Sequence, residues 1–150
     1  MTVDFGWGRT PKLRVASVAW KGPWKEAKIR SQFEKVERWV KARKLRTGRW
    51  IFQEPGARRW EVAIEVKGAA RGSGPVRIKT LKAATVARVV FDPNVVSPRV
   101  IYHGLSDWLR WRRKEHEIRS VRSSREVYLG NPWRDAKAWA RTEVQFLVRK

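Results

Sequence analysis

One order of segments occurs twice along this chain, and it restricts the attainable folds more than any other feature. KLRVASVAW, residues 12–20, is rich in β-branched residues and bounded by Pro11 and Gly22, which reads as a strand. Residues 23–44 follow, with Ile29, Phe33, Val36 and Val40 at spacings of four, three and four, one stripe of an amphipathic helix. Pro23 suits its first turn, and Gly48 ends the loop after it. RWIFQEP and RWEVAIEVK, residues 49–55 and 59–67, then make a strand pair around Pro55-Gly56. In the second of them Trp60, Val62, Ile64 and Val66 alternate with Glu61, Ala63 and Glu65, so one face is buried.

GAARGSG, residues 68–74, is small, polar and flexible, and reads as a linker. After it the order returns. Residues 76–91 read as a strand with a bend or bulge near Leu81-Lys82, and Ile101, Leu105, Trp108 and Leu109 mark a helix over about 98–115. REVYLGNP and WARTEVQFLV, residues 125–132 and 139–148, close the chain as a hairpin. The halves share wording as well as order, with WEVAIEV in one and TEVQFLV in the other, which is the mark of an internal duplication. One helix covers one side of a small sheet. Two such units therefore predict an α+β fold, a mainly antiparallel sheet with both helices on one face and a groove on the other, near the pseudo-twofold junction. Residues 1–10 read as a tail and 11–150 as a single domain, with halves of about 11–67 and 75–149.

The length, 150 residues, suits one hydrophobic core. No apolar run reaches about 18 residues, so no membrane span is expected. MTVDFGWGRTPKLRV lacks the apolar segment of a signal peptide, and a cytoplasmic location is expected. The absence of cysteine removes disulfides, zinc-thiolate sites and thiol nucleophiles. His103 and His116 share no metal-ligand spacing, and no G-x-S-x-G, P-loop or G-x-G-x-x-G occurs, so neither a metal nor a cofactor is expected.

Thirty-five Lys plus Arg stand against 14 Asp plus Glu, a formal charge of +21. Such a field attracts nucleic acid or an acidic protein, although an Arg-rich composition poor in Asn and Gln also fits heat adaptation. RWRRKEHEIRSVRSSR, residues 110–125, reads as a solvated helix end and loop; as an interaction surface it would offer Trp111 for stacking on a base. No separate helix-turn-helix is visible, so any role in transcription would run through a partner. Ten tryptophans exceed what one core needs, and several are expected to line a pocket. Trp39 and Trp108 lie on helix stripes and read first as core, while Trp20, Trp24 and Trp50 sit at strand ends and at the helix start.

In order and in motifs the chain resembles the GyrI-like small-molecule-binding domain, which also serves as the effector domain of multidrug-responsive transcription regulators. WKGPW (residues 20–24), GPVRIKTLKAATVARVVF (74–91), REVYLGNP and TEVQFLV carry the resemblance over about residues 11–149. It implies a pocket whose floor is the acid of the Glu-x-Tyr strand, Glu126, with Tyr128 beside it and Glu143 at the rim. Strand parity is read the same way: Val127 and Leu129 are assigned to the helices, which sends Glu126, Tyr128, Trp139 and Glu143 into the groove. Trp20, Trp24, Trp50 and Trp139 are the expected walls, with Trp108 also a candidate. FDPN, residues 91–94, departs from the glycine turn that Lys21-Gly22-Pro23 supplies in the first half, which bears on the mouth near Phe91 and Tyr102. The expected partner is an amphipathic aromatic small molecule, cationic if Glu126 is its counter-charge. Some GyrI-like proteins resemble hydrolases of strained aromatic-tethered electrophiles, which would make Glu126 a general acid or base. The competing class is a basic protein that binds nucleic acid or a macromolecule through its surface.

Overall fold

Ile29, Phe33, Val36 and Val40 are buried along one side of α1, Glu26–Ala42, and fasten it to one face of a single large sheet. The computed structural model describes residues 3–150. Its strands are β1 (Gly6–Thr10), β2 (Leu13–Lys21), β3 (Arg46–Gly56), β4 (Arg59–Lys67), β5 (Arg77–Leu81), β6 (Ala84–Phe91), β7 (Ser120–Tyr128) and β8 (Thr142–Arg149). All pair antiparallel in the order β1-β6-β8-β7-β3-β4-β2-β5, curled into a half-barrel. α2, Pro98–Arg112, lies over β6 and β8 through Ile101, Leu105 and Leu109, and the short α3 is Ala136–Ala140.

The strand order is its own mirror. β1-β6-β8-β7 on one side matches β5-β2-β4-β3 on the other, and β3 meets β7 at the centre. Each repeat is thus strand–strand–helix–strand–strand, one strand more than the sequence suggested. The extra strands are exchanged: β1 pairs with β6 of the second half, and β5 pairs with β2 of the first. Residues 6–10, read as tail, are therefore an edge of the sheet. The expected break in residues 76–91 falls at Lys82-Ala83 and separates β5 from β6.

Two further elements differ from the sequence reading. The basic run 110–125 is helix end, a turn of 3-10 helix (Arg113–His116) and then the first half of β7, because Val121 and the serines pair with β8. Trp139 lies on α3 and not on the last strand, which starts at Thr142. Asp135 caps that short helix by accepting from the Lys137 amide at 2.9 Å.

Both sheet faces carry apolar clusters. On the helix side, α1 covers Ala16, Val18, Val62, Ile64 and Trp50, while α2 covers Ala87, Val89, Val144 and Phe146. On the inner side of the curl, Leu13, Val15, Ile51, Ala63, Leu81 and Val127 make a third cluster with no helix over it. No helix among the described residues is long and apolar enough to cross a membrane.

Candidate functional site

The register across the sheet centre decides which side chains meet. Trp50 pairs with Tyr128 and Phe52 with Glu126, and Glu126 pairs in turn with Val144 of β8. These residues share the helix face, so Glu126 and Tyr128 point between α1 and α2. The groove that holds them is on the helix side, not on the opposite face. The parity assignment failed for a physical reason: Val127 finds apolar company inside the curl, where Leu129 stays largely exposed, so alternation alone could not tell the two faces apart.

Two adjoining recesses of about 320 and about 250 Å³ occupy this cleft and share Trp24, Phe52 and Glu126. The larger is walled by Phe33 of α1, Phe91, Tyr128, Trp133 and Trp139. Phe33 stacks on the buried Trp50 at 5.1 Å and also meets Trp133, so the aromatic wall continues from the core. Trp139 lies nearly parallel to Tyr128, with centroids 6.5 Å apart.

Glu126 is held without an ion pair among the described residues. Tyr102 of α2 donates to Oε1 at 2.8 Å, and Tyr128 donates to Oε2 at 2.6 Å. Burial, then the charge of Glu126, then its hydrogen bond push both phenols above their ordinary value of 10.0, so both stay protonated and donate at neutral pH. A carboxylate can accept about four hydrogen bonds, and two are used here, which leaves capacity on both oxygens.

The loops build the mouth. Gly130, at φ +134°, lets the chain leave β7 sharply, and Asn131 Oδ1 accepts the Trp133 amide at 2.9 Å, which brings that indole over the cleft. The FDPN turn replaces a glycine with a side chain: Asp92 Oδ1 accepts the Asn94 amide at 2.9 Å. Asn94 Oδ1 in turn accepts from Trp139 Nε1 at 3.3 Å. The departure from the first half's wording therefore helps seat a wall residue.

Of the residues named from the sequence, the structure brings together Glu126, Tyr128, Tyr102, Trp24, Phe91 and Trp139. Trp50 is core beneath Phe33. Trp20 pairs with Trp60 on the outer strands and borders a separate recess, and Trp108 packs against Trp7 at 5.0 Å beside the second core. Glu143 is inside the curl, on the far face, bound by Arg88 at 2.9 and 3.2 Å. Burial pushes the Glu143 carboxyl up, but hydrogen bonds from Arg88 and Gln145 and the charges of Arg88 and Arg141 outweigh it and hold the group below the usual carboxylate range. Phe52, Trp133 and Glu26 were not singled out in the sequence, and Phe33 was read only as part of the helix stripe. Phe52 was findable from the pairing of the two central strands; Trp133 follows the Asn-Pro turn directly.

Comparison with known families matches the profile of the GyrI-like small molecule binding domain to residues 9–149. None of the curated proteins matches the sequence. Among solved structures, the EcmrR C-terminal domain is similar at a TM-score of 0.76 and 19% identity, over 100% of this chain and 99% of that one. EcmrR in its complex with DNA gives 0.75 and 21%, with 99% of this chain covering 58% of that chain. SAV2435 bound to tetraphenylphosphonium gives 0.57 and 9% over 97% and 94% of the two chains. A hydrolase encoded by lin2189 of Listeria innocua gives 0.59 and 12% over 97% and 91%. At these identities the structures share the fold alone.

Proposed function

Because the chain belongs to the GyrI-like small-molecule-binding family, we propose that it is a receptor for an amphipathic aromatic cation, held between α1 and α2 with Glu126 as counter-charge. One observation carries this reading. In a chain of charge +21, the larger recess is lined by Glu26, Glu126 and seven aromatic residues, and by no lysine or arginine. A sheltered carboxylate without a basic partner gains from a cation, and flat ring faces add roughly 0.5–2 kcal/mol each by cation–π attraction. Rings and a single central acid select charge and size more than detailed shape, which suits a range of ligands. The tetraphenylphosphonium on SAV2435 is a ligand of this class on the same fold. EcmrR, which carries such a domain, is seen in a complex with DNA, so regulation of transcription is the role that fits this receptor.

Tryptophan fluorescence tests the proposal. Tetraphenylphosphonium should quench saturably, and Glu126→Gln should weaken binding about tenfold, as expected for losing one charged contact. Equal affinity in the variant would sink the idea. Steeply salt-dependent DNA binding without any response to the cation would favour the basic surface instead.

A hydrolytic reading rests on the two phenols that fix both oxygens of Glu126 beside an open recess. There Glu126 would take a proton from water as the water oxygen bonds to one cyclopropane carbon; the strained carbon–carbon bond breaks, its electron pair passes to the leaving carbon, and that carbon takes the proton back from Glu126. Turnover of an aryl cyclopropane electrophile, lost in Glu126→Gln, would establish it; no turnover above the blank would end it.

A further inference from the structure

The inner face of the curl has a cavity of its own, about 400 Å³, separated from the cleft by the thickness of the sheet. Its floor is apolar, from the cluster that includes Leu13, Ile51 and Val127. Around that floor stand Arg9, Arg49, Arg88, Arg125 and Arg141, with Glu143 as the single carboxylate. The composition is the inverse of the cleft's.

The sheet places four of these arginines, on β1, β3, β6 and β7, and Arg141 stands exposed at the rim, on the turn just before β8. Cross-strand register puts Arg88, Gln145, Arg125, Gln53 and Glu61 in one row over five strands. Arg125 is only 7% exposed, and its Nε donates to Gln53 Oε1 at 2.7 Å. Gln53 Nε2 donates onward to Glu61, which Lys79 neutralises at 2.7 Å. The two terminal nitrogens of Arg125 make no hydrogen bond to the described residues. Arg141 makes neither a hydrogen bond nor an ion pair to them, and Glu143 is already committed to Arg88. The cavity therefore combines one buried guanidinium held in place by Gln53, that of Arg125, and one uncommitted guanidinium at the rim, that of Arg141, with an apolar base. Guanidinium forks match the planar or tetrahedral oxygens of carboxylate and phosphate.

We propose that this cavity is a second binding site, for an organic oxyanion with a phosphate or carboxylate head and an apolar body. The head meets Arg125 and Arg141, and the body lies on Ile51 and Val127. The site is independent of the α1–α2 cleft.

Phenyl phosphate is the probe, with inorganic phosphate and phenol as its separate halves, followed by calorimetry at about 0.15 M salt so that diffuse surface charge is screened beyond about 8 Å. Phenyl phosphate should bind more tightly than either half. Arg141→Gln, at an exposed position with no bond to lose, should weaken it about tenfold. Glu143→Gln should act in the opposite direction, strengthening binding several-fold by releasing Arg88, and Glu126→Gln should leave it unchanged. Circular dichroism confirms that each variant folds. The proposal is overturned if Arg141→Gln costs no more than Arg110→Gln on the outer surface, or if Glu143→Gln brings no gain. Loss of phenyl phosphate binding in Glu126→Gln would merge the two sites and equally reject it. A short oligonucleotide that binds with the same variant dependence while phenyl phosphate does not would reassign the face to nucleic acid.

Discussion

Tyr102 and Tyr128 reach the same carboxylate from different elements, one from α2 and one from β7, and each takes a different oxygen. The helix of the second repeat is thereby tied to the central seam of the sheet through Glu126.

That tie should be measurable without any ligand. Tyr102→Phe and Tyr128→Phe each remove a hydrogen bond to a charged acceptor and should lower unfolding free energy by about 1–2 kcal/mol. In a Glu126→Gln background either change should cost less, because the charged acceptor is already gone. Urea denaturation of the double-mutant cycle checks this; additive losses would show that the phenols act by packing alone.

The tryptophans should separate into wall and scaffold. Trp139→Ala should weaken tetraphenylphosphonium binding by roughly 0.5–2 kcal/mol, the range of a cation–π contact. Trp20→Ala, on the outer strands, should leave affinity unchanged. Titration of both variants by fluorescence tests the distinction.

Phe33 bridges core and cleft, fully buried and stacked on Trp50. Phe33→Ala should destabilise the protein by about 3–5 kcal/mol through lost burial and an unfilled cavity. Chemical denaturation gives the value, and a loss below 1 kcal/mol would mean that the cleft collapses to fill the space.

Acid sensitivity should come in part from the inner face. The folded-state carboxyl of Glu143 is held below its ordinary value near 4.5, so its contribution to stability is present above that pH and is lost as pH falls through the depressed value. Stability should therefore decline on acidification below about pH 4.5, and Glu143→Gln should flatten that part of the profile. Thermal melts across the acid range provide the measurement; identical slopes would exclude a contribution from the Arg88–Glu143 pair.

The helices and the central strands were legible because burial writes a period into them: Ile29, Phe33, Val36 and Val40 could belong only to a helix stripe. The Glu-x-Tyr pattern, through the family resemblance, brought Glu126 and Tyr128 forward, and the FDPN departure pointed to the mouth near Phe91 and Tyr102. What the alternation in β7 could not disclose was which face was which, since Val127 has apolar neighbours inside the curl just as Tyr128 has them beneath α1. Glu143 was misdirected by the same ambiguity. The first strand escaped notice because GWGRT, short and glycine-rich, has little intrinsic strand preference and owes its form to pairing with β6. The inner arginines were hidden by abundance. Among 35 basic residues nothing in the spelling marks the few that a curled sheet gathers around one hollow.

The crossing of β1 and β5 has a consequence for how the molecule can come apart. Each repeat lends its leading strand to its twin, so a cut through residues 68–74 would leave either fragment with a bare flank and a strand that has nothing to hold. Neither piece is a self-sufficient fold. Mixed together, the fragments have every reason to clasp again, because each already carries the missing border of the other.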